Sequence, residues 1–305
     1  VDRFAIELGV AGDDPRRVQA GILFELNYNL LSGHAFLPEE KLIAATAQLL
    51  SIEPQAAADG LAQLLEAGRL VRNTLAGIQV IYLAALHEAE DYCAQRLLEF
   101  ADFHCPAPAR LDAMLRKASQ ESGIEYSAQQ AQAIREAASC GVLLITGGPG
   151  TGKTTILNGV LSLFEQMDLN CVLAAPTGRA AKRLNEVTGR DASTIHRLLE
   201  TDIDPATGQM FFIRNESNPL KADAVIVDEM SMVDIQLLHS LLQAIPAGKR
   251  LILVGDPDQL PPVGPGFPFS DMLRSEMLPA VRLPEIFRQA QERLLVMNAH
   301  RVNQG

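Results

Sequence analysis

Tryptophan is absent, aromatic residues make up only 5% of the 305 positions, and the four cysteines (Cys93, Cys105, Cys140, Cys171) form no C-x-x-C pair. Cysteines so spaced exclude a disulfide scaffold and a zinc finger, and they suit a reducing, cytosolic compartment. His104-Cys105 lies in a proline-rich run and reads as a linker pair rather than half of a metal site. No apolar run reaches membrane-spanning length and no signal peptide opens the chain, so neither a spanning segment nor a membrane partner is expected. Basic residues are also scarce: 26 Lys and Arg stand against 37 Asp and Glu, a net charge of −11. That balance excludes a surface that wraps nucleic acid throughout, but it leaves room for a local basic groove. Core material is plentiful: 48% of residues are apolar, enough for one large domain or two ordinary ones.

The first hundred residues read as helices followed by a hairpin. Asp14 and Pro15 open a helix that Gly33 closes, with Val18, Ile22, Leu26 and Leu30 as its apolar stripe. Pro38 and Pro54 start two more, to about Leu50 and Ala67. Two short β-like runs, 69–73 and 78–83, flank a Leu75-Ala76-Gly77 turn, and a further helix spans 84–102. This is the order of a winged-helix module, a fold used both for binding DNA and for packing against protein. The expected divisions are a mainly helical, winged-helix-like region at 1–104, a linker and helix at 105–126, and an α/β domain with a parallel sheet at 127–305. The opening VDRFAIELGV, without methionine, reads as the tail of an earlier element.

From Ser127 the pattern changes to strands alternating with helices. Four apolar runs, 142–146, 171–175, 224–227 and 251–254, read as buried parallel strands. Each empties into a polar cluster, and ligands of open α/β sheets gather beyond the carboxyl ends of strands. The first cluster is the most informative. Gly147, Gly152, Lys153 and Thr154 fit G-x-x-x-x-G-K-[ST], in the strand–loop–helix setting that this pattern requires. A loop that turns its N–H groups onto phosphate needs glycine, and the helix start adds partial positive charge. The candidate nucleotide-binding residues are therefore Gly147, Gly148, Pro149, Gly150, Thr151, Gly152, Lys153, Thr154 and Thr155. Lys153 is expected on the outer phosphates, and the Thr154 hydroxyl on Mg²⁺.

The other clusters supply the partners such a loop needs. Asp228 is assigned to the magnesium shell and Glu229 to the attacking water; the competing reading is an acidic pair starting a helix. Gln259, in GDPDQ, suits a sensor of the terminal phosphate, or else is the polar tip of a turn. Gln130 suits the adenine edge, or else is a glutamine facing solvent. Pro176, Thr177, Gly178, Arg179 and Lys182 offer main-chain N–H groups, a hydroxyl and charge to a strand's phosphates, with Thr194 and His196 following; a capped helix with a basic face is the alternative.

Taken in order, GGPGTGKTT, APTGRAAKRL, STIHRLL, IVDEMSMVD, GDPDQLPPVGPG and EIFRQAQ-NAHRVNQG resemble the RecD-like ATP-dependent DNA helicases of superfamily 1, from about Tyr126 onward. RRVQAGILFELN, SGHAFLPEEKL, EAGRLV and YLAALHEAE resemble that family's region before the motor. The resemblance implies a RecA-like motor domain coupling ATP hydrolysis, with Mg²⁺, to movement on single-stranded DNA and at duplex junctions, 5′ to 3′, in repair or recombination. It carries Lys153, Glu229, Gln259 and Arg288 over as catalytic residues, Thr154 and Asp228 to the metal, Gln130 to the base, and 176–182 with Thr194 and His196 to DNA. It also makes a hairpin at about 198–215, turning at Asp204–Gly208, a strand-separating pin. A second RecA-like domain in cis is implied beyond Gly305, so the 305 residues alone are expected to bind nucleotide weakly and not to unwind DNA. Phe267-Pro268-Phe269 and Arg293 depart from the family pattern. A conjugative relaxase's helicase portion and a non-catalytic P-loop scaffold subunit are the alternatives.

Overall fold

The computed structural model describes residues 6–7, 9–12, 14–208 and 210–283. Contacts divide the chain into two units. One consists of Val1–Tyr92 with Asp234–Gln236 and Pro262–Gly266, and the other of Cys93–Val233, Leu237–Pro261 and the residues from Phe267.

In the first unit the elements run α1 (Pro15–Leu30), β1 (Phe36–Pro38), α2 (Glu39–Leu50), α3 (Pro54–Glu66), β2 (Leu70–Leu75) and β3 (Ile78–Leu83). Asp14 accepts from the Arg16 N–H at 2.9 Å, so it caps α1 with Pro15 in the first turn. The Ala76-Gly77 link between β2 and β3 has positive φ at both residues, 49° and 81°, which is the two-residue geometry matching strand twist. β1 adds to β3 antiparallel, giving the order β1-β3-β2. The three helices and the sheet close over Val18, Ile22, Leu26, Leu42, Leu61, Leu64 and Ile81. Helix, strand, two helices and hairpin is the winged-helix arrangement; β1, only three residues long, is the piece the sequence reading lacked.

α4 (Ala84–Asp102), in which the division between the units falls, precedes α5 (Leu111–Ser122) and α6 (Ala128–Ser139). The second unit then runs β4 (Val142–Gly147), α7 (Lys153–Gln166), β5 (Cys171–Ala175), α8 (Gly178–Thr188), β6 (Ala192–Thr194), α9 (Ile195–Leu199), β7 (Thr201–Ile203) and β8 (Met210–Phe212). It continues with β9 (Ala224–Val227), α10 (Ile235–Ala244), β10 (Arg250–Gly255), α11 (Pro268–Ser275) and β11 (Ala280–Leu283). The six-stranded sheet has the order β11-β4-β10-β9-β5-β6, with every pairing parallel. Strands β4, β9 and β10 are buried along nearly their whole length, which is why they read as continuous apolar runs. Ile134, Ala137 and Ala138 of α6 and Ile156, Val160 and Phe164 of α7 pack onto Leu143, Ile145, Ile252 and Val254 in one core.

The topology places the site. β4 leaves toward β5 and β10 leaves the opposite way toward β11, although β4 and β10 are neighbours. With right-handed crossovers the two exits run to opposite faces of the sheet, and the loops part at its carboxyl edge to open a crevice. β7 and β8 form a separate antiparallel hairpin, Thr201 opposite Phe212 and Ile203 opposite Met210. Its turn is tied by Asp204, which accepts from Ala206 N and Thr207 Oγ1 at 2.8 and 2.9 Å, and its base by an Arg214–Glu200 ion pair.

Candidate nucleotide site

The loop from Gly147 to Gly152 turns twice through the left-handed region, at Gly150 (φ 78°) and Gly152 (φ 89°), before α7 begins at Lys153. Only glycine takes both positions without strain. Gly147 is needed for closeness instead: a Cβ there would lie 2.6 Å from Thr151 Oγ1 and 2.9 Å from Leu283 Cβ. Thr151 is buried and donates to the Gly148 carbonyl at 2.9 Å, tightening the loop from inside. The Lys153 ammonium folds back over the same loop, donating to the carbonyls of Gly147 and, at 3.1 Å, Gly148. Thr154 and Thr155 are half-buried in the first turn of α7, while Pro149 and Gly148 are half-buried and Gly150 is exposed.

Three acids converge on that lysine. Burial pulls the Lys153 amine below its ordinary value, and the charges of Asp256, Glu229 and Asp228 oppose the pull. Asp228 follows β9; burial raises its carboxyl, although the Glu229 N–H donates to Oδ1 at 2.9 Å. Burial, then the charge of Asp228, raises Glu229 as well. The Glu229 backbone sits in the left-handed region at φ 55°, ψ 40°, a conformation a non-glycine residue holds at a cost. Its Oε2 atom is buried and has no hydrogen-bond partner among the described residues. An acceptor so placed fits a donor brought by a ligand or its water.

Asp256, at the end of β10, is 2% exposed and organises its own turn, accepting from the Asp258 N–H at 3.1 Å. The Gln259 N–H donates to the Asp256 carbonyl at 3.1 Å, while the Gln259 amide reaches Asp256 Oδ2 at 3.5 Å and is otherwise exposed. A cavity of ≈ 330 Å³ opens beside the loop, lined by Gly147, Gly148, Asp256, Asp258, Arg274 and Arg282 among others. Gln130 is buried rather than solvent-facing. Its Oε1 accepts from Ser127 N at 3.0 Å and its own N–H donates to Ser127 Oγ at 3.3 Å, a reciprocal cap that starts α6. Arg288 lies outside the described residues.

Two residues of this site escaped the sequence reading. Asp256 was visible only as part of a turn, and Arg183 not at all; Arg183 Nη1 stands 3.9 Å from Glu229 Oε1. The helical spacing Arg179–Arg183 was the available signal.

The residues predicted for DNA gather at the neighbouring strand ends. Thr177 follows β5 and caps α8, accepting from Ala180 N at 3.2 Å. Thr194 ends β6 and caps α9, accepting from Arg197 N at 3.1 Å. β5 and β6 pair with Ala175 opposite Thr194, so the two caps stand side by side. Each hydroxyl still has its proton to donate. Arg179, Lys182 and His196 are exposed, Gly178 is exposed, Pro176 is half-buried, and the His196 ring lies 5.7 Å from that of Phe212 in the hairpin. The departure at 267–269 has a structural reason: Pro268 opens α11, and Phe269 lies so close to Gly255 that a Cβ there would be 2.7 Å from the ring.

The sheet order, the glycine loop and the acids near its lysine define the second unit as a P-loop domain of RecA-like fold. In keeping with this, residues 130–265 match a family described as AAA domain. The ATP-dependent RecD2 DNA helicase of Deinococcus radiodurans is 35% identical over 97% of this chain, and the RecBCD enzyme subunit RecD of Mycolicibacterium smegmatis 39% identical over 48% of it. The chain spans 42% and 30% of the length of these two relatives. Among solved structures, the Pif1 helicase of Candida albicans aligns over 55% of this chain and 42% of its own at 26% identity, with a TM-score of 0.41. Along almost its whole length the chain is similar to RecD-like helicases of superfamily 1. Among the described residues no helix is long and apolar enough to cross a membrane.

Proposed function

We propose that this chain carries the first motor domain of an ATP-driven DNA helicase that moves 5′ to 3′ on single-stranded DNA and opens duplex junctions. The observation that carries the reading is the convergence of Asp228, Glu229 and Asp256 on the one lysine of the glycine loop, with a Glu229 oxygen buried and unpartnered among the described residues. Structural loops have no use for three acids near a half-buried ammonium, whereas a triphosphate site does.

ATP is the substrate, cradled by the N–H groups of 147–148 and 150–155, with Gln130 at the base. Among the described residues no cluster of three or more His, Cys, Asp and Glu side chains could hold a metal unaided. A magnesium ion bound with phosphate needs fewer protein ligands, and Thr154 and Asp228 fit that smaller set. Such an ion would supply positive charge against the phosphate oxygens. Lys153 exchanges its two loop carbonyls for outer phosphate oxygens. Glu229 accepts from the attacking water and turns it in line. Gln259, beside Asp256, reports the terminal phosphate, and Arg288 meets the charge that develops there. A second RecA-like domain in cis completes the cleft, so its opening and closing move the strand.

The strand itself runs over Pro176, Thr177, Gly178, Arg179, Lys182, Thr194 and His196, where hydroxyls and main-chain groups hold phosphates. The hairpin β7–β8, with Ile203 and Met210 more than 60% exposed, is the pin that splits the duplex. Repair or recombination proteins in a cytoplasmic setting are the fitting partners. The test is strand displacement by the full-length protein on duplexes with a 5′ or a 3′ single-stranded tail. Unwinding of the 5′-tailed substrate alone, lost in Lys153→Ala, supports the reading; preference for the 3′ tail would overturn the direction, and no ATP-dependent displacement the motor.

A further inference from the structure

Arg183 joins the two halves of this chemistry. It lies on α8 one turn after Arg179, so both side chains leave the same face of the helix that carries the strand-binding loop. Strand β5, which feeds α8, is hydrogen-bonded to β9, which ends in Asp228-Glu229. That adjacency brings Arg183 Nη1 to 3.9 Å from Glu229 Oε1. The two partners sit in different surroundings: the arginine side chain is 73% exposed and the glutamate 20%. The other glutamate oxygen, Oε2, is buried without a hydrogen-bond partner among the described residues. Glu229 thus has one oxygen facing inward and the other tethered to a cation that reaches into solvent. Lys182 does not share this position, because it lies 3.9 Å from Glu186 of its own helix.

We infer that Arg183 is a positioning residue: it holds Glu229 idle until a phosphate of single-stranded DNA draws the guanidinium away. The inference rests on the ATPase reading above and adds the element by which strand occupancy governs water activation. An exposed ion pair at this separation is weak, so it yields readily. Phosphate takes a guanidinium in a two-pronged, charge-assisted contact that Glu229 does not make here, and a bound strand supplies phosphates at high local density. While Arg183 occupies Oε1, that oxygen is a poorer acceptor for the attacking water; once released, both oxygens are available.

The experiment is steady-state ATP hydrolysis by the full-length protein, with and without saturating oligo(dT), for the wild type, Arg183→Ala, Arg183→Lys and Lys153→Ala. Arg183→Ala is expected to raise the DNA-free kcat about two- to fivefold, the range that loss of one exposed ion pair permits. KM for ATP and the DNA-saturated kcat stay unchanged, so the stimulation ratio falls by the same factor, and Arg183→Lys restores most of the restraint. The salt dependence of oligo(dT) binding loses about one unit of slope in Arg183→Ala, as for one phosphate contact removed. A DNA-free kcat at or below the wild-type value would overturn the restraint, and matched thermal melts exclude misfolding as the cause. A wild type with no DNA-stimulated hydrolysis above Lys153→Ala would instead sink the ATPase reading on which the inference stands.

Discussion

Replacing Glu229 by glutamine is expected to make the protein more stable and nearly inert. The side chain is mostly buried, one oxygen lacks a partner among the described residues, and Asp228 is its neighbour in sequence and in charge. Burial and Asp228 push its carboxyl up, Lys153 and Arg183 push it down, and the upward causes win, so the negative charge is a net burden on the folded state. Glutamine keeps the shape and removes the charge. It forfeits the Arg183 pair, worth at most about 1 kcal/mol at an exposed site. Leaving a buried polar atom unsatisfied costs about 1–3 kcal/mol and more when it is charged, so the amide, still without a partner there, is relieved of the charged excess alone. The balance is a gain of about 1 kcal/mol, or about 2–4 °C in Tm for a unit of this size. The sign of the pH dependence follows. A carboxyl whose folded value lies above its unfolded value loses stability as pH rises between the two, so the wild-type burden grows as pH climbs through the folded value. It disappears as pH falls below the ordinary glutamate value of 4.5. Thermal melts of the two proteins, in chelator and without nucleotide, should therefore differ most near pH 8 and converge near pH 4. A less stable glutamine variant at pH 8, or a gap independent of pH, would refute the reasoning.

Gly255→Ala would set a Cβ 2.7 Å from the Phe269 ring, and this overpacking should cost about 1–3 kcal/mol by urea denaturation; an unchanged midpoint would mean the ring moves freely. Thr177→Ala removes the α8 cap and should destabilise by about 1 kcal/mol, with Thr177→Ser restoring it; a variant that melts like the wild type would show the cap to be unimportant. Burial pushes the Cys171 thiol up to about 11. Its alkylation, followed by peptide mass spectrometry, should therefore climb about tenfold per pH unit from pH 8 to 10, where an ordinary thiol levels off near pH 9. A plateau by pH 9 would contradict that environment.

The four central strands were legible because three are buried along nearly their whole length, the fourth, β5, over its last three residues, and each ends in a loop whose residues announce their chemistry. The sheet's edges were not. Ala192–Thr194 is only three residues long, and Ala280–Leu283 alternates buried with exposed positions, so neither makes an apolar run. The winged-helix order was readable from prolines and caps, but Phe36–Pro38 becomes a strand only because β3 lies beside it. Ser127-x-x-Gln130 was a capping-box signature in plain sight, yet Gln130 was weighed only as a base reader or a solvent-facing residue. Arg183 could not be paired with Glu229 from the sequence, because their meeting depends on β5 lying next to β9, some fifty positions apart. Local spacing reveals caps and motifs, whereas sheet order decides which motifs touch.

ATP hydrolysis by the full-length protein, with and without single-stranded DNA and beside its Lys153→Ala form, tests the central claim most directly. The account predicts turnover that DNA stimulates severalfold and that disappears when the lysine is lost. Equal rates in the two proteins would contradict it, leaving the loop, its lysine and the surrounding acids without a catalytic purpose.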